Sequence, residues 1–354
     1  MGSGDSTRSR NAPLTRMVRL KDIALRAGVS VMTVSKVLRD APDVSAATKV
    51  RIRKLAEEMG YTPDSMAQGL RNRATKLFGL VVSAATNPIF ARVVMAIEEQ
   101  AHQLGYDVIM AHSLNQPERE ASVIRRMLSR RVEGLFLTPV YRLEPTAPIY
   151  DELLKRDVPT VLLGHRAPFC QGFVNVATDD LAASYSMTKH LLELGHRRIA
   201  YFTGPSAAPS SQERLEGHRR ALREAQIEPD DHLIFNAGAT TEEGEKAALQ
   251  LLEEAPQATA VQAVNDLVAI GAATVFLNQG LRVPEDLSIA GFGNVLVSEH
   301  FRVPLTTVRQ PKFRLGTAAM ESMLKLLGGA RPEPRRLSAE IVVRKSTGAP
   351  IPAK

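Results

Sequence analysis

The sequence predicts two parts of different fold class, a small all-α head and a larger α/β body. In residues 18–61, apolar residues recur at helical spacing in three short stretches, which glycine, serine and proline separate. From residue 77 onward, apolar runs of strand length alternate with helical stretches, which is typical of parallel sheets covered on both faces. A boundary near 178–180 divides the strands of the body into two similar halves, so we expect two lobes.

The excess positive charge of the chain lies in its first 76 residues. These hold 15 Lys and Arg against 7 Asp and Glu, whereas the remaining 278 residues hold 30 against 31. A basic module on a neutral body indicates contact with a polyanion, although a basic solvated tail would carry the same charge. Residues 1–17 are polar and lack the apolar core of a secretory signal, so we expect a disordered basic arm.

Composition limits the class of protein. Of the 354 residues, 44% are hydrophobic and 23% are charged, as in an ordinary globular protein. No apolar run of about 18 residues occurs, so we expect neither a membrane-spanning helix nor a membrane partner. Cys170 is the single cysteine, which excludes an internal disulfide, argues against a cysteine-built metal site and favours a reducing cytoplasm. We expect no metal and no cofactor.

Three short helices are predicted in the head, with a glycine at the first corner. Gly28 follows the first helix as a left-handed C-cap, and Ser30 and Ser45 can cap the second and third helices. Such an arrangement is a helix-turn-helix. The residues predicted to face inward are Leu20, Ile23, Ala24 and Ala27, then Val34, Val37 and Leu38, then Ile52, Leu55, Ala56 and Met59.

The second helix of a helix-turn-helix enters the major groove of DNA, and its first residues meet the base edges. Here those residues are Val31 and Met32, whose apolar side chains favour contact with thymine methyl groups. The alternative is that both side chains are buried against the third helix. Polar side chains nearby are candidates for phosphate or base contacts. The predicted DNA-binding residues of the head are Ser30, Val31, Met32, Thr33, Ser35, Lys36 and Thr48.

The stretches LKDIALRAGVSVMTVSKVLRD and VSAATKVRIRKLAEEMGYTPD resemble the DNA-binding module of the LacI/GalR family of bacterial transcription regulators. The resemblance implies that residues 62–76 form a hinge, which is helical only when two copies meet on DNA. Leu70 then occupies the position of a wedge that enters the minor groove, and Arg71 and Arg73 would hold nearby phosphates. A plain flexible linker is the alternative, because the segment contains Gly69 and few apolar residues.

The body resembles the sensor of the same family, so that the likeness extends over about residues 18–346. Matching stretches include GLVVSAATNPIF, RLEGHRRAL, AVNDLVAIGA and PLTTVRQP. The resemblance implies a two-lobed, periplasmic-binding-protein-like (type I) sensor domain at residues 77–354, which binds an effector and dimerises. A strand near 305–310 is then expected to cross back to the N-terminal lobe, and the last strand to return to the C-terminal lobe. The implied lobes are about 77–178 plus 309–335 and about 179–308 plus 336–348.

Ligands of such open sheets bind beyond the carboxyl ends of the strands, which places the effector between the lobes. Arg214 matches the family's basic residue before L-x-G, and Asn265 matches the first residue of its ND pair, whereas Asp266 is expected to cap a helix. Gly293 replaces a carboxylate that the family commonly has; either Asn294 compensates for its loss, or the ligand is itself anionic, such as a sugar acid. The residues assigned to the effector site, from the resemblance or from their place at strand ends, are Asn87, Phe90, Thr138, His165, Arg166, Asp179, Arg214, Asn265, Gly293 and Asn294.

These patterns predict a homodimeric, DNA-binding transcription regulator, in this family a repressor, that reads a pseudo-palindromic operator. A small-molecule effector, a sugar or sugar acid, would control it; VMTVSKVLRD and AGFG also resemble the gluconate-type branch. The sequence has no G-x-G-x-x-G after a strand, no G-x-x-x-x-G-K-[ST], no G-x-S-x-G and no H-E-x-x-H, so we expect no enzyme. The alternatives are a solute-binding protein and a sugar-modifying enzyme with an accessory DNA-binding head.

Overall fold

The computed structural model of the chain describes residues 18–62, 74–84 and 87–351. The chain divides into two compact units, residues 1–73 and 74–354. The predicted basic arm and most of the predicted hinge, including Leu70, Arg71 and Arg73, lie outside the described residues. Within those residues, no helix combines the length and the apolar character that crossing a bilayer requires.

The first unit contains three helices, α1 (Leu20–Ala27), α2 (Val31–Leu38) and α3 (Ala46–Glu58). Gly28 ends α1 in the left-handed conformation, with φ 66°, which a residue without Cβ adopts without strain. The Ser30 hydroxyl accepts a hydrogen bond from the Thr33 amide at 3.0 Å, and the Ser45 hydroxyl accepts one from the Thr48 amide at 3.3 Å. These three caps are the ones that the sequence predicts.

One apolar stripe from each helix forms the core of the head. Ile23, Val34, Val37 and Ile52 are fully buried, and helical periodicity predicts all four. Full burial of such a side chain contributes about 1.5–3 kcal/mol, so these four side chains are a major apolar contribution to the stability of the head.

The second unit consists of two lobes, each built on a six-stranded sheet. The first lobe begins with β1 (Leu77–Val82), α4 (Pro88–Gln103), β2 (Asp107–His112), α5 (Pro117–Ser129), β3 (Gly134–Leu137), α6 (Pro148–Lys155), β4 (Thr160–Leu163) and β5 (Val174–Thr178). The second lobe follows with α7 (Asp180–Glu193), β6 (Ile199–Thr203), α8 (Pro209–Glu224), β7 (Ile234–Asn236), α9 (Thr241–Glu254), β8 (Ala260–Ala263), α10 (Asp266–Asn278), β9 (Ser288–Gly293), α11 (Leu296–His300) and β10 (Thr306–Arg309). The last elements are α12 (Lys312–Leu327), β11 (Arg335–Leu337) and β12 (Glu340–Val342).

Both sheets are parallel except at one edge. The strand orders are β11-β5-β4-β3-β1-β2 and β12-β10-β9-β8-β6-β7, and β12 runs antiparallel to β10. Every residue of β3, β4 and β9 is buried. Strands inside a parallel sheet are covered on both faces, which explains why they appear in the sequence as continuous apolar runs.

The prediction for the strand near 305–310 is wrong. β10 does not cross to the first lobe but pairs with β9 of the second, with Thr306 opposite Ala290. Its threonines are satisfied within that lobe, since the Thr306 amide donates to the Ser346 hydroxyl and Thr307 donates to Asp266. The chain crosses only after β10, because α12 packs on α4 and β11 pairs with β5. The last strand, β12, returns to the second lobe as expected.

Glycines allow α9 and α10 of the second lobe to approach closely. A Cβ on Gly244 would lie 2.3 Å from the Val268 carbonyl oxygen, and a Cβ on Gly271 would lie 2.0 Å from that of Thr241. Neither distance is possible for a real side chain, so each glycine is required where it stands. The contact fixes the N-terminal end of α10, from which two polar side chains reach the site described next.

Candidate functional site

Two apolar side chains at the start of α2 are exposed. Val31 is 45% and Met32 65% exposed, so neither is buried against α3 in the free head and that alternative is wrong. The Thr33 hydroxyl lies 2.9 Å from the Ser30 hydroxyl, and Ser35 is half-buried on the same helix. The start of α2 therefore presents an apolar pair, flanked by hydroxyl groups, to whatever the head contacts.

Two polar DNA-binding candidates are held in local contacts. Lys36 forms an ion pair and hydrogen bond with Asp43, which lowers the pKa of that carboxyl. The Thr48 hydroxyl lies 2.9 Å from the Ser45 hydroxyl. Exposed pairs of this kind contribute little to stability, so Lys36 can exchange Asp43 for a phosphate at small cost.

A cavity of about 250 Å³ lies in the body. Its lining includes residues that follow the carboxyl ends of strands in both sheets, such as Thr138 after β3, His165 after β4 and Asn265 after β8. This is the edge at which ligands of parallel sheets bind, and it is the position that the sequence predicts for an effector.

One wall of the cavity is polar, and the buried carboxylate of Asp180 lies at its centre, between Arg214 and His165. Asp180 is 2% exposed, and its Oδ1 accepts a hydrogen bond from Arg214 Nε at 2.7 Å. Its Oδ2 lies 2.6 Å from His165 Nε2. Burial by itself would raise the pKa of Asp180, but the Arg214 charge and the His165 hydrogen bond outweigh burial and hold this pKa below its usual range. Asp180 is therefore ionised near neutral pH.

Arg214 on α8 is fixed on three sides. Besides its contacts with Asp180, its Nη1 donates to the Val264 carbonyl at 2.6 Å. Its guanidinium carbon lies 3.7 Å from the centre of the Phe292 ring, a cation–π contact. The guanidinium is therefore already neutralised and oriented before any ligand enters.

Glu213 lies outside the cavity lining but beside His165 and Asp180, and together the three side chains could hold a metal ion. Donor atoms of His165, Asp180 and Glu213 lie within 4.8 Å of one another. Arg214 already pairs with Asp180, and Arg336 already pairs with Glu213. Because each carboxylate already has a cationic partner, the cluster fits an ion-pair network better than a metal site.

Two buried oxygens in the wall have no hydrogen-bond partner among the described residues. They are Thr138 Oγ1 and Gln310 Oε1, and both residues line the cavity. The Gln310 amide nitrogen donates to the Thr178 hydroxyl at 3.0 Å, which fixes that side chain. Unsatisfied buried oxygens carry a desolvation cost, so a ligand with hydroxyl or amino groups would gain from meeting them.

The start of α10 places two further polar residues at the cavity. Asn265, not Asp266, caps α10, because its side chain accepts a hydrogen bond from the Val268 amide at 2.8 Å. Asp266 lines the cavity beside Asn265 and accepts hydrogen bonds from the Val295 amide and the Thr307 hydroxyl. Burial, opposed by those two bonds, raises the pKa of Asp266. The expectation that Asp266 caps this helix is wrong, because the cap is the preceding residue, Asn265.

Six of the ten predicted effector residues line the cavity, namely Asn87, Phe90, Thr138, His165, Arg214 and Asn265. The structure does not bring the other four to its lining. Arg166 is exposed and faces a different surface cavity, and Asp179 caps α7 by accepting from the Ala182 amide at 3.2 Å. Asn294 turns toward Arg344, and Gly293 has no side chain, although its carbonyl accepts a hydrogen bond from Lys312.

Sequence reasoning missed part of the lining. Asp180 and Tyr141 line the cavity, and so do Gln310 and Phe292. Asp180 follows Asp179 directly, so the pair of aspartates is evident in the sequence. Which of the two side chains faces the cavity depends on the residue at which α7 begins. No spacing pattern marks Tyr141, which lies in an irregular loop.

Comparison with known proteins decides the family. Residues 19–64 match the family described as bacterial regulatory proteins, lacI family, and residues 188–347 match the periplasmic binding protein-like domain. The transcriptional repressor CytR of Escherichia coli (strain K12) is 34% identical over 333 residues, which cover 93% of this chain and 96% of CytR. The repressor PurR of Vibrio atlanticus (strain LGP32) is 32% identical over 332 residues, which cover 93% and 98%. The chain belongs to the LacI family of bacterial regulatory proteins.

Solved structures of the LacI family extend the likeness to the whole fold. A lac repressor dimer bound to operator and the anti-inducer ONPF is 29% identical with a TM-score of 0.84, and the match covers 94% of this chain and 100% of that one. A complex of the regulator CelR with cellobiose is 30% identical with a TM-score of 0.71, covering 93% and 99%. As a LacI-family member, the chain is a DNA-binding transcription regulator with a helix-turn-helix head and a two-lobed sensor body, and it is not an enzyme.

Proposed function

We propose that this regulator is a repressor controlled by a small, uncharged, hydroxyl-rich effector such as a neutral sugar, bound in the 250 Å³ cavity. The observation that carries the proposal is the pairing of Arg214 with Asp180, because it leaves no unpaired guanidinium or ammonium group among the described residues that line the cavity.

The charges in the wall favour a neutral ligand over a sugar acid. The ionisable side chains that line the cavity include Arg214, Asp180, His165 and Asp266. Two of them are carboxyl groups, Asp180 and Asp266, against the single guanidinium of Arg214, and Arg166, which would have added a cation, faces elsewhere. A carboxylate ligand would meet Asp180 and Asp266 without a free cation to offset them. Neutral hydroxyl groups can instead use the free oxygens of Thr138 and Gln310.

We further propose that the regulator acts as a homodimer. In the first lobe, β2 is an edge strand, and Met110 on that strand, Met95 on α4 and Leu114 just after β2 are exposed. An unpaired strand edge with exposed apolar side chains favours association. The related lac repressor is a dimer on its operator. Two identical heads then read two half-sites of a pseudo-palindromic operator, so the protein acts where DNA is, in the bacterial cytoplasm.

Thermal unfolding of the full chain tests the effector class. The panel contains ribose and cellobiose as neutral sugars, with gluconate and glucuronate as sugar acids. A ligand at 100 times its dissociation constant adds roughly 2.7 kcal/mol to the free energy of unfolding. We expect one or more neutral sugars to raise the midpoint, with no shift from the acids. A shift from a sugar acid alone would contradict the neutral class and restore the anionic one.

A further inference from the structure

We propose that Glu120 is a positioning residue for the effector cavity. Its buried carboxylate fixes the loop 138–147, and with that loop the side chains of Thr138 and Tyr141 in the cavity wall. The proposal rests on the assignment of this cavity to the effector.

Glu120 lies near the start of α5 and has no exposed surface. A buried carboxylate is costly, and here three donors oppose that cost, although burial still raises the pKa of Glu120. Its Oε1 accepts from the Val140 amide and from the Tyr150 hydroxyl, both at 2.7 Å. Its Oε2 accepts from the Arg142 guanidinium in an ion pair.

Two of these three donors belong to the loop 138–147, which has no regular secondary structure. Arg142 also donates from Nε to the Val140 carbonyl at 3.0 Å, and its guanidinium carbon lies 5.0 Å from the centre of the Phe169 ring. Glu120 and Arg142 therefore satisfy both backbone polar groups of Val140. They supply to an irregular segment the hydrogen bonds that a helix or sheet would supply to a regular one.

Thr138 and Tyr141, which lie on either side of Val140 in the loop, both line the cavity. The Thr138 hydroxyl has no hydrogen-bond partner among the residues that the structure describes. The Tyr141 hydroxyl donates to the His165 carbonyl at 2.8 Å, so the loop also holds the backbone of the residue that contacts Asp180. A Cβ on Gly164 would lie 2.8 Å from the Tyr141 hydroxyl oxygen, which indicates close fit at this point. A displacement of the loop would move Thr138, Tyr141 and His165 together.

A purely structural role does not require a charge here. Replacement of a buried ion pair by apolar residues of similar size is often neutral or stabilising. What an apolar residue cannot do is accept hydrogen bonds from Val140, Tyr150 and Arg142 at once. The carboxylate is therefore explained by the loop geometry that it imposes.

Hydrogen exchange of the full chain, without any ligand, tests the proposal. The variant is Glu120→Gln, and the matched control is Glu152→Gln, which removes a partly exposed glutamate paired with Arg125 and Arg156. In Glu120→Gln we expect amide exchange to rise at least tenfold over 138–147 and at 164–165. Exchange in β1 and over 262–268 should stay within a factor of two, as should the whole pattern of Glu152→Gln.

A chemical probe reports the cavity wall directly. In a Thr138→Cys background the new thiol lines the cavity, while Cys170, the native cysteine, is buried. Adding Glu120→Gln should raise the rate of thiol labelling by DTNB at least fivefold. If Glu120→Gln fails to fold, Arg142→Lys removes the bond to the Val140 carbonyl while keeping the charge, and it should loosen the same segment.

Unchanged exchange over 138–147, or an equal rise in β1, would overturn the positioning role. Either result leaves the effector assignment standing, because the measurement uses no effector. Conversely, failure of every sugar to shift the unfolding midpoint would count against the proposed effector class and would leave the exchange result unaffected.

Discussion

The Thr138 side chain lines the cavity with a hydroxyl group that is available to hydrogen-bond a ligand. Its hydroxyl is buried without a partner among the described residues, whereas Arg214 is engaged by Asp180, Val264 and Phe292. The two residues should therefore respond differently to substitution, although both line the cavity.

Thr138→Val should weaken effector binding about two- to tenfold, the equivalent of one neutral hydrogen bond, with unfolding of the free protein nearly unchanged. Arg214→Ala should abolish binding and also destabilise the free protein by roughly 3–5 kcal/mol, because it leaves Asp180 buried without its main partner. Thermal unfolding with and without the bound sugar measures both effects. A large stability loss in Thr138→Val would mean that its hydroxyl has a structural partner.

Val31 and Met32 should determine base preference rather than stability. Replacing them by Val31→Tyr with Met32→Gln should change the preferred base at matching positions of both half-sites, by about 1–3 kcal/mol per altered base pair. Selection of operators from a random pool measures this. Val34→Ala is the control, since it should cost roughly 2 kcal/mol of stability and leave base preference unchanged. Unchanged preference in the double variant would mean that the pair does not reach the bases.

Single residues also show where sequence reasoning ends. The pairs Asp179–Asp180 and Asn265–Asp266 are evident in the sequence, and in each pair the first residue caps a helix, while Asp180, Asn265 and Asp266 line the cavity and Asp179 does not. Neighbouring residues at a helix start point about 100° apart. An error of one residue in the predicted helix boundary therefore assigns the cap to the wrong member of the pair.

At the scale of elements, the close contact of α9 with α10 determines where the cavity residues of α10 stand. Gly271→Ala should destabilise the body by roughly 1–3 kcal/mol, because a methyl group has no room beside the Thr241 carbonyl. Gly328→Ala is the control, since its nearest neighbours would lie at an ordinary 3.5 Å. Denaturant unfolding measures both. Equal stability of the two variants would contradict the close contact.

Buried histidines make the second lobe sensitive to acid. Burial lowers the pKa of His218 to about 3, and burial also lowers the pKa of His196 and His190. Between pH 6.5 and 3 the unfolded chain binds a proton at His218 that the folded chain does not, so stability falls as pH falls below about 6.5. For His218 the loss reaches about 2 kcal/mol at pH 5. His218→Gln should reduce the pH dependence of the unfolding midpoint, whereas exposed His102→Gln should not. An equal effect of both would refute this.

Periodicity predicted the apolar strands and not the polar or interrupted ones. Apolar runs do not mark β5 and β11, because β11 carries Arg335 and Arg336 at the edge of its sheet and β5 includes Asn175. The path of β10 was also mispredicted, since pairing within a sheet depends on partners distant in the chain. The strands that precede Thr138, His165 and Asn265 are predicted from the sequence, because burial in a parallel sheet leaves apolar runs.

At the scale of the whole molecule, the excess basic charge and the effector cavity lie in different parts of the chain. The basic charge lies in the first 76 residues, and the cavity lies in the nearly neutral body. The separation was evident from the sequence, because it depends on counting charges rather than on placing side chains. A regulator of this kind requires that occupancy of the body alters the affinity of the head for DNA, a coupling that is typically worth 1–3 kcal/mol.

The most direct test is the affinity of the full chain for a selected operator, measured by fluorescence anisotropy with and without a saturating amount of the panel sugar that gives the largest thermal shift. We expect operator affinity to change by about 5- to 150-fold with the sugar. In Thr138→Val the same change should require a two- to tenfold higher sugar concentration. Identical operator affinity with and without saturating sugar in the unaltered protein would contradict effector control through this cavity.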